Sequence, residues 1–590
     1  MGKIFSQVAK PRIPAPSDGI QVNFCKNPKC KNYGRPAKPK VSRGKVAAGK
    51  QRLTDSYNVA GGGRDMPLLH CKECDERPPM KSNTGVAQEL ARFKSLLAEN
   101  DSGCQNPECE NHGVSLRARR RYQKFGKTPS GDPRYRCKAC GKTFSVGPAS
   151  RRHKKSEKNR LIFMLAVNKT PIRRMCEIAD LQAKYVYKKL DFLHTQCVRF
   201  LAARERRLLT SVHPKRLHLS VDRQDHFANW LDRNIKKNIV FQAIGTADNI
   251  TGYVFASHLN YDPALTHDVV EKEARTCGDL HLPVAFRQHA RLWLGQDYLK
   301  AMYRTAKRYN KDIVGDTLLA KVMETYKRAG NRPDVEDLEA VTASMQLPKN
   351  GVQVRADYTM YGHFFYLAHL FRKVGRIRFY LDQESGIRAA CLSAFMKQVK
   401  NRTCDAFYVS INKDMTNDER EQCVKASRKR FKTFKERYPG LTDNEMIKLM
   451  VKRNMKTMKQ IGQYKDLWLE HPYPNKSEPE KMVSYQTDLG DYDEDLVADM
   501  YMRASMAGID RFFMQARRRS SYLERGIHTS SRSGGVWHGY APYDPRMIGK
   551  SLDMLRFYYN YVHVGKNKET PAMKLGLADG PVKVEDLLYE

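Results

Sequence analysis

The chain has 590 residues, with 105 Lys and Arg against 64 Asp and Glu, so its formal net charge is +41. A metabolic enzyme of this size rarely carries such an excess, and a hydrophobic content of 41% excludes a disordered basic tail. At about 100–200 residues per domain, three or four domains are expected. The sequence has no apolar run of about 18 residues and no apolar segment near its start, so we expect neither a membrane span nor a signal peptide.

The positive charge is concentrated near the start of the chain. The range 1–210 contains 45 Lys and Arg and 17 Asp and Glu, a net +28, whereas the rest of the chain carries +13. The expected partner is a polyanion, first of all nucleic acid, because Lys and Arg contacts to phosphates supply most non-specific DNA affinity. A basic surface that only keeps the protein in solution is the alternative.

Eight of the 14 cysteines fall between Cys25 and Cys140 in a repeated pattern. Each unit reads C-x4-C, a basic spacer and C-x2-C, and the first halves, CKNPKCKN and CQNPECEN, nearly repeat. The two sets are Cys25, Cys30, Cys71 and Cys74, and Cys104, Cys109, Cys137 and Cys140. Because four thiolates close a tetrahedral zinc site and a reducing compartment disfavours disulfides, we predict two zinc ribbons with one structural Zn2+ each. His70 and His112 flank these ligands, and either could replace a thiolate.

A helical segment follows the cysteines. LIFMLAVN predicts a buried helix, and Thr170 and Pro171 predict the N-cap and first residue of a second helix. A break at 180–182 precedes a long third helix, AKYVYKKLDFLHTQCVRFLAARERRLL. Three helices with a tight turn and a basic last helix are typical of a helix-turn-helix, whose last helix enters the major groove. An ordinary three-helix bundle has the same pattern.

From about residue 215 the periodicity becomes that of strands. RLHLSVDRQD predicts a strand with Asp222 near its end, and NIVFQAIGTADNITGYVFASHL predicts two strands joined by a turn. Residues 264–350 read as mostly helical. GRIRFYLDQESGIRAACLSAF predicts a fourth strand ending in Asp382 and then a helix, and CDAFYVSIN predicts a fifth strand. A meander with an Asp on its first strand is the opening of a ribonuclease-H-like fold, in which the fourth strand lies beside the first and brings Asp382 near Asp222.

The last part of the sequence reads as helical. Residues 415–494 are largely helical and polar in pattern. LVADMYMRASMAGIDRFFMQARRRSSYLE predicts one long helix over about 495–524, which ends in Glu524 and Arg525. A helix over MIGKSLDMLRFYYNYV and the ending GKNKETPAMKLGLA follow.

Several of these motifs resemble bacterial insertion-sequence transposases of the DDE type. RYRCKACGKTFS is similar to the zinc-ribbon ending at their N-termini, and YYNYV followed by ETPAMKLGLA is similar to their C-terminal motifs. These transposases carry a third carboxylate in an acidic-basic pair on an upstream helix, which corresponds here to Glu524 and Arg525. Asp382 and Glu524 lie much further apart in this sequence than the second and third carboxylates of many members, so we interpret 415–494 as an insertion.

The resemblance implies a DNA transposase that binds transposon ends and catalyses Mg2+-dependent cleavage and strand transfer. The implied catalytic residues and magnesium ligands are Asp222, Asp382 and Glu524. They would hold two Mg2+ ions, for which Mn2+ could substitute. Asp225 and Glu384 are rivals of the two aspartates, and Glu480 is the rival of Glu524.

Basic residues beside these motifs are the predicted DNA contacts. They lie in the second ribbon, in the last helix of the helix-turn-helix and just before Glu524: Arg134, Arg136, Lys138, Lys142, Lys184, Lys188, Lys189, Arg517, Arg518 and Arg519. The predicted partners are double-stranded DNA, as transposon ends and target, and a second copy of the chain, since such transposases act as dimers or larger assemblies. A bacterial cytoplasmic location at the nucleoid is expected. The aromatic cluster Trp537, Tyr540 and Tyr543 predicts core packing, with stacking on a DNA base as the alternative.

The sequence therefore predicts a multidomain α+β chain with two zinc ribbons, a helical helix-turn-helix domain and a ribonuclease-H-like α/β catalytic domain with a helical insertion. The predicted domains are 1–100 (first ribbon region), 101–150 (second ribbon), 151–210 (helix-turn-helix), 211–414 (catalytic domain, first part, with a helical insert at about 264–350), 415–494 (helical insertion) and 495–590 (catalytic domain, last part, and tail). Two other functions stay open. One is a DNA-binding protein without catalysis, and the other is a nuclease or Holliday-junction resolvase that cuts without joining.

Overall fold

A computed structural model of the protein describes residues 11–42, 53–61, 66–98, 103–104, 106, 108–111, 116, 119–129, 131–146, 154–229, 239–298, 351–384, 386–462, 464–528 and 536–589. The predicted helical insert at 264–350 lies mostly outside these residues, and so does His112.

The strands, in chain order, are β1 (Tyr57–Ala60), β2 (Leu68–Cys71), β3 (Tyr122–Lys127), β4 (Pro133–Cys137), β5 (Thr143–Ser145), β6 (Arg216–Ala228), β7 (Ile239–Asp248), β8 (Val254–Leu259), β9 (Tyr261–Asp262), β10 (Val352–Gln353), β11 (Arg376–Asp382), β12 (Cys404–Ile411), β13 (Lys459–Ile461), β14 (Asp466–Glu470), β15 (Lys481–Tyr485), β16 (Ile527–His528) and β17 (Val536–Trp537).

The α-helices, in chain order, are α1 (Asn83–Ser95), α2 (Lys158–Ala166), α3 (Ile172–Ala179), α4 (Ala183–Glu205), α5 (Arg207–Thr210), α6 (His267–Thr276), α7 (Ala356–Leu370), α8 (Ile387–Ala394), α9 (Met396–Lys400), α10 (Asn417–Arg437), α11 (Asp443–Met455), α12 (Glu494–Met502), α13 (Ala507–Arg519), α14 (Arg546–Phe557), α15 (Pro571–Leu575) and α16 (Val584–Tyr589). Among the described residues, none of the helices is both long and apolar enough to cross a membrane.

A large mixed sheet dominates the α/β part of the chain, with the strand order β13-β14-β15-β12-β11-β6-β7-β8. β6, β7 and β8 form an antiparallel meander, while β11 runs parallel to both β6 and β12. The central strands β11 and β12 are nearly continuous apolar runs and are mostly buried, as expected for parallel strands covered on both faces. The predicted meander, and the predicted position of the fourth strand beside the first, are confirmed.

The segment 415–494 differs from its prediction. Its first half is helical, as α10 and α11, but its second half forms β13, β14 and β15. β15 pairs with β12 through Phe407 and Tyr485, so these strands extend the main sheet. The prediction of a helical insertion was wrong for this half. β13 and β14 have only one and two buried positions, so their sequences lack the apolar alternation that would indicate strands.

The prediction of one long helix over 495–524 was also wrong. The chain forms α12 up to Met502, breaks, and begins α13 at Ala507. The break holds a buried hydrogen bond from the backbone N–H of Met506 to Glu478, 2.8 Å long. After α13 a short 3-10 turn covers Ser521–Leu523, and Glu524 itself has an extended backbone.

The chain divides into two compact units that do not follow the linear domain prediction. The first unit contains residues 1–91, 214–513 and 542–546, so the first cysteine set belongs to the same unit as the main sheet. The second unit contains residues 92–213, 514–541 and 547–590, so the second cysteine set, the helix-turn-helix segment and the C-terminal motifs belong together.

The helices predicted for the helix-turn-helix are confirmed as α2, α3 and α4. α3 begins one residue later than predicted, because Pro171 is the N-cap. Asp180 adopts a left-handed conformation with φ of 50°, which ends α3 and produces the predicted break. The buried side chains of Ile162, Leu190 and Leu193 form the core of this helical segment.

Candidate active site and zinc centres

Both predicted cysteine sets converge into clusters. In the first, Sγ of Cys25 lies 3.4 Å from that of Cys74, and Sγ of Cys30 lies 3.8 Å from that of Cys71. The corresponding pairs of the second cluster, Cys104–Cys140 and Cys109–Cys137, are 3.4 and 3.7 Å apart. Tetrahedral zinc with Zn–S bonds of about 2.3 Å needs sulfurs about 3.8 Å apart, so each four-thiolate set fits one zinc ion. All fourteen cysteines lie among the described residues and all are free thiols.

The internal repeat extends to residues that the sequence analysis missed. Asn32 and Asn111 occupy the same place in the two repeats, and the side-chain amide of each donates to a cluster sulfur, Cys71 or Cys137. Tyr57 and Tyr122 also correspond: each hydroxyl accepts from the backbone N–H of the first cysteine and donates to the carbonyl of the matching Asn. Alignment of the repeats reveals the two Asn, but the tyrosines stand at different spacings and only the fold pairs them. His70 bonds to Asp75 and flanks the first cluster.

The segment that carries the first cluster packs against α8, the helix that follows Asp382. Arg388 of α8 is 1% exposed, and its guanidinium bonds to the Glu76 carboxylate at 3.2 Å and to the Lys26 carbonyl at 3.1 Å. The Lys26 ammonium in turn donates to the Ser393 hydroxyl at 2.7 Å. The Glu76 carboxylate also lies 3.1 Å from Sγ of Cys25, so one chain of contacts links a cluster sulfur to α8.

The segment that carries the second cluster presents basic side chains to solvent. Arg136, Lys138 and Lys142 are exposed, and Arg134 is half-buried. The guanidinium groups of Arg134 and Arg136 lie over the ring of Phe125, 5.6 and 6.0 Å from its centre. An exposed aromatic ring between two guanidinium groups suits a nucleic-acid surface, since cations bind phosphates and flat groups stack.

The three predicted DNA contacts on α4, the last helix of the helix-turn-helix segment, differ in exposure. Lys184 and Lys188 are exposed, next to the exposed rings of Tyr185 and Tyr187. Lys189 is 5% exposed. Its ammonium donates to the carbonyls of 154 and 155 and to the side chain of Asn159. The prediction that Lys189 contacts DNA is therefore wrong, because it lies on the buried face of α4.

The two predicted aspartates meet at the centre of the main sheet. The parallel register of β11 and β6 pairs Leu381 with Val221, so the next residues, Asp382 and Asp222, lie side by side. Glu384 joins them: one oxygen from each of these three carboxylates lies within 4.8 Å of the others. Hard oxygen donors at this spacing fit Mg2+. Asp225 stands apart, where it accepts from the Gln242 amide.

Lys413 supplies positive charge to this carboxylate group. It follows β12, and its Nζ lies 3.4 Å from Asp222 and 4.0 Å from Asp382. Burial, and then the charge of Asp222, raises the pKa of Asp382 well above its usual range, and this crowding of negative charge is what a bound cation would relieve. Asp382 and Asp222 raise the pKa of Lys413 in return.

Asp510 lies near this group, outside the set of carboxylates whose oxygens lie within 4.8 Å of one another, and no sequence motif points to it. It lies in the first turn of α13 and raises the pKa of both Asp382 and Lys413 by its charge. Side chains of the sheet hold that turn in place: the N–H of Gly508 donates to Asn249 at 2.9 Å, and that of Ile509 donates to Ser220 at 3.0 Å. Ser220 precedes Asp222 by two residues, so the same strand positions both.

A glycine allows α13 to approach the sheet closely. A Cβ at Gly245 on β7 would lie 2.6 Å from the Ile509 side chain and 2.9 Å from that of Phe513. Gly245 is also the register partner of Asp222. Close packing of α13 over this point therefore brings its first turn, and Asp510, to the carboxylates.

Glu524, the predicted third carboxylate, belongs to the second unit. Its carboxylate accepts from the Lys169 ammonium at 2.7 Å. It is absent from the carboxylate group that the described residues of the first unit bring together. The rival Glu480 accepts from the Asn412 side chain at 3.0 Å.

The predicted arginines near Glu524 differ in exposure. Arg519 bonds to Gln515, Asn168 and Tyr558, so it is held within the protein. Arg518 is exposed and Arg517 is half-buried. Arg517 and Arg518 therefore stay predicted DNA contacts, whereas Arg519 is bonded to other side chains of the protein.

The C-terminal motifs pack on the helix-turn-helix segment within the second unit. YYNYV forms a π-helical turn at Tyr558–Val562, and the ring of Tyr561 lies 5.0 Å from that of Phe200 on α4. π-helical turns are frequent at functional sites. In the second motif Thr570 caps α15, and Pro571 is its first residue.

The aromatic cluster near residue 540 is exposed rather than packed. Trp537 is 54% exposed, Tyr540 42% and Tyr543 66%. The prediction of core packing was wrong because a short hairpin, β16 and β17, carries Trp537 and leaves it outside any core.

No protein-family model matches this chain, and none of the curated proteins matches it in sequence. The carboxylate group and the two cysteine clusters are therefore the features of this chain that bear on its function.

Proposed function

We propose that this chain is a DDE-type DNA transposase that cleaves DNA at element ends and joins the ends to a target. The observation that carries the proposal is the pairing of Asp222 and Asp382 on adjacent parallel strands, with the Lys413 ammonium beside both carboxylates. The arrangement agrees with a ribonuclease-H-like catalytic domain, in which carboxylates on the central strands serve phosphodiester chemistry.

Asp222, Asp382 and Asp510 are the proposed magnesium ligands. Mg2+ ions bound there would activate the attacking hydroxyl and stabilise the leaving oxygen of the phosphodiester. Asp222 lies beside Asp382 on the neighbouring strand, and Ser220 of its own strand binds the first turn of α13, which carries Asp510. Lys413 neutralises the carboxylates before metal binds, and its half-exposed side chain can turn toward a DNA phosphate.

Asp510 replaces Glu524 as the proposed third carboxylate. It influences Asp382 electrostatically from a helix docked on β6, whereas Glu524 is bonded to Lys169 in the other unit. Glu384 is the alternative, but the Arg223 guanidinium already binds its carboxylate at 2.6 Å. With Asp510 in this role, 415–494 remains an insertion between the second and third carboxylates.

The second unit is the proposed DNA-end reader. Its exposed basic side chains on the second ribbon and on α4, beside exposed aromatic rings, have the charge and shape to bind a duplex. Two zinc ions per chain, one in each four-cysteine cluster, would hold the ribbons together. We also propose that the chain acts as a dimer or larger assembly on two DNA ends.

The test uses the full chain and duplexes carrying the DNA that flanks its coding region. Ala replaces Asp222, Asp382, Asp510 or Glu524 singly, and end cleavage and strand transfer are followed in Mg2+. The first three variants should lose activity and Glu524→Ala should retain it. Retained activity in all of the first three would contradict the carboxylate assignment. Cleavage without target-joined product would indicate a nuclease or resolvase, and tight DNA binding without metal-dependent cleavage would indicate a DNA-binding protein.

A further inference from the structure

The helix α10 carries a dense positive charge in the inserted segment. The range 425–437 contains one carboxylate, Glu436, and seven cations. The cations are Lys425, Arg428, Lys429, Arg430, Lys432, Lys435 and Arg437. No step of the proposed chemistry uses them.

The packing of α10 fixes which way these cations point. Ser427 is buried and donates to the carbonyl of Pro472, and the ring of Phe431 lies 5.0 Å from that of Tyr473. Lys425, Arg428, Lys429 and Lys432 follow the i, i+3, i+4, i+7 spacing of one helix face, and all four are exposed. We call this face the α10 stripe.

The charge of the α10 stripe is mostly unbalanced. Lys425 pairs with Glu421 at 3.1 Å, but Arg428, Lys429 and Lys432 have no carboxylate partner in the part of the chain that the structure describes. The next helix, α11, differs: Lys448 pairs with Asp499, and Lys452 pairs with Asp495. The same segment therefore contains a helix with lysines that are paired with carboxylates, whereas most cations of the α10 stripe have no such partner among the described residues.

The α10 stripe begins close to the carboxylate site. The Arg420 guanidinium in the first turn of α10 bonds to the carbonyls of Lys413 at 2.8 Å and Met415 at 2.9 Å, which ties the helix to the loop carrying Lys413. A capping box of Thr416 and Glu419 fixes the start of the helix. At 1.5 Å per residue, Lys425 stands about 12 Å along the axis from Asn417, and Lys432 about 22 Å.

We propose that the α10 stripe binds the phosphate backbone of duplex DNA next to the phosphodiester held at the carboxylate site. This inference rests on the proposed function and deepens it, because it assigns the insertion to substrate binding. Lysine and arginine on one exposed helix face can contact successive phosphates without reading bases. The stripe therefore gives affinity that does not depend on sequence, as binding of target DNA requires.

The experiment measures the salt dependence of binding to a 40-base-pair duplex of arbitrary sequence, with the full chain carrying Asp382→Asn to prevent cleavage. Lys429→Gln with Lys432→Gln is compared with a matched pair on α6, Lys272→Gln with Arg275→Gln, which are also exposed. Each lost phosphate contact lowers the slope of log K against log salt by about 0.9, so the stripe pair should lower it by about 1.8 and the α6 pair should leave it unchanged. An unchanged slope for the stripe pair, or an equal loss in both pairs, would overturn the proposal.

A second readout separates this proposal from the catalytic one. A photoreactive benzoylphenylalanine at position 429 should crosslink to the duplex, and the same group at position 272 should not. Binding and crosslinking need no cleavage, so both can be observed even if the wild-type chain never cuts DNA. Absence of cutting by the wild-type chain would contradict the transposase proposal alone. If the wild-type chain cuts and joins DNA but position 429 neither crosslinks nor changes the slope, only the α10 proposal falls.

Discussion

The two four-cysteine modules, which we call the first and second ribbon after their predicted fold, repeat one sequence pattern in different surroundings. They share the sulfur geometry and the Asn and Tyr hydrogen bonds to it. Two residues after the last cysteine, however, the first ribbon has Glu76, which is buried against Arg388, and the second has Lys142, which is exposed. The same module therefore packs on the main sheet's unit in one copy and offers a basic surface in the other.

The residues that differ between the two modules indicate which positions determine the function of each. The thiolates and their immediate hydrogen bonds fix the backbone, whatever the module does. The residues just outside the cluster decide whether it packs or binds, because a buried carboxylate needs a partner whereas an exposed ammonium can bind phosphate. We therefore expect the positive charge near the start of the chain to serve DNA binding through the second ribbon and α4 more than through the first ribbon.

Removal of one proposed zinc ligand from each ribbon should separate the two modules most strongly. Cys74→Ser and Cys140→Ser should each lower bound zinc from two atoms per chain to about one. Loss of structural zinc forfeits on the order of 10 kcal/mol of binding free energy, so each change should unfold its own ribbon. Elemental analysis and scanning calorimetry should show Cys74→Ser destabilising the first unit and Cys140→Ser sparing it. Loss of the first unit's transition in both variants would contradict the separation.

Replacement of the residue that follows each ribbon should have the next largest effect. Glu76→Ala leaves the buried Arg388 guanidinium without its carboxylate, so the free energy of unfolding of the first unit should fall by about 3–5 kcal/mol. Lys142→Ala should leave the unfolding midpoint unchanged, because the side chain is exposed. Urea unfolding followed by a probe of the first unit measures both. Equal midpoints for the two variants would show that Glu76 does not anchor the ribbon.

Neutralisation of exposed cations should have the smallest effect, and here the second ribbon should respond while the first should not. Arg136→Gln with Lys142→Gln should lower the salt slope of DNA binding by about 1.8, since two phosphate contacts are lost. Lys29→Gln with Lys31→Gln, exposed residues of the first ribbon, should leave the slope unchanged. Fluorescence anisotropy at several salt concentrations measures the slope. A fall in the slope for the first-ribbon pair would show that both ribbons bind DNA.

The sequence was a good guide to features set by local pattern. The cysteine spacing predicts both clusters because each pair lies on one tight turn, and the apolar runs predict β6, β7, β8, β11 and β12. The neighbouring positions of Asp222 and Asp382 follow from the parallel pairing of two such strands.

Features set by distant contacts could not be predicted in this way. Asp510 reaches the site because Ser220 and Asn249 hold the start of α13, and no local pattern links elements so far apart in the sequence. Glu76 and Arg388 are likewise separated by 312 positions. A short motif points to Glu524, but such a motif carries no information on which carboxylate the fold brings near Asp382.

Strand transfer by pre-cleaved DNA ends shows whether Asp222 and its neighbours form the phosphodiester site. Ends with a free 3′-hydroxyl are supplied with a target plasmid and Mg2+ to the wild-type chain, to Asp222→Asn and to the control Asp225→Asn on the same strand. Asp222→Asn should reduce joining by roughly 100-fold or more, while Asp225→Asn should stay close to wild type. Joining at the wild-type rate by Asp222→Asn would contradict the account.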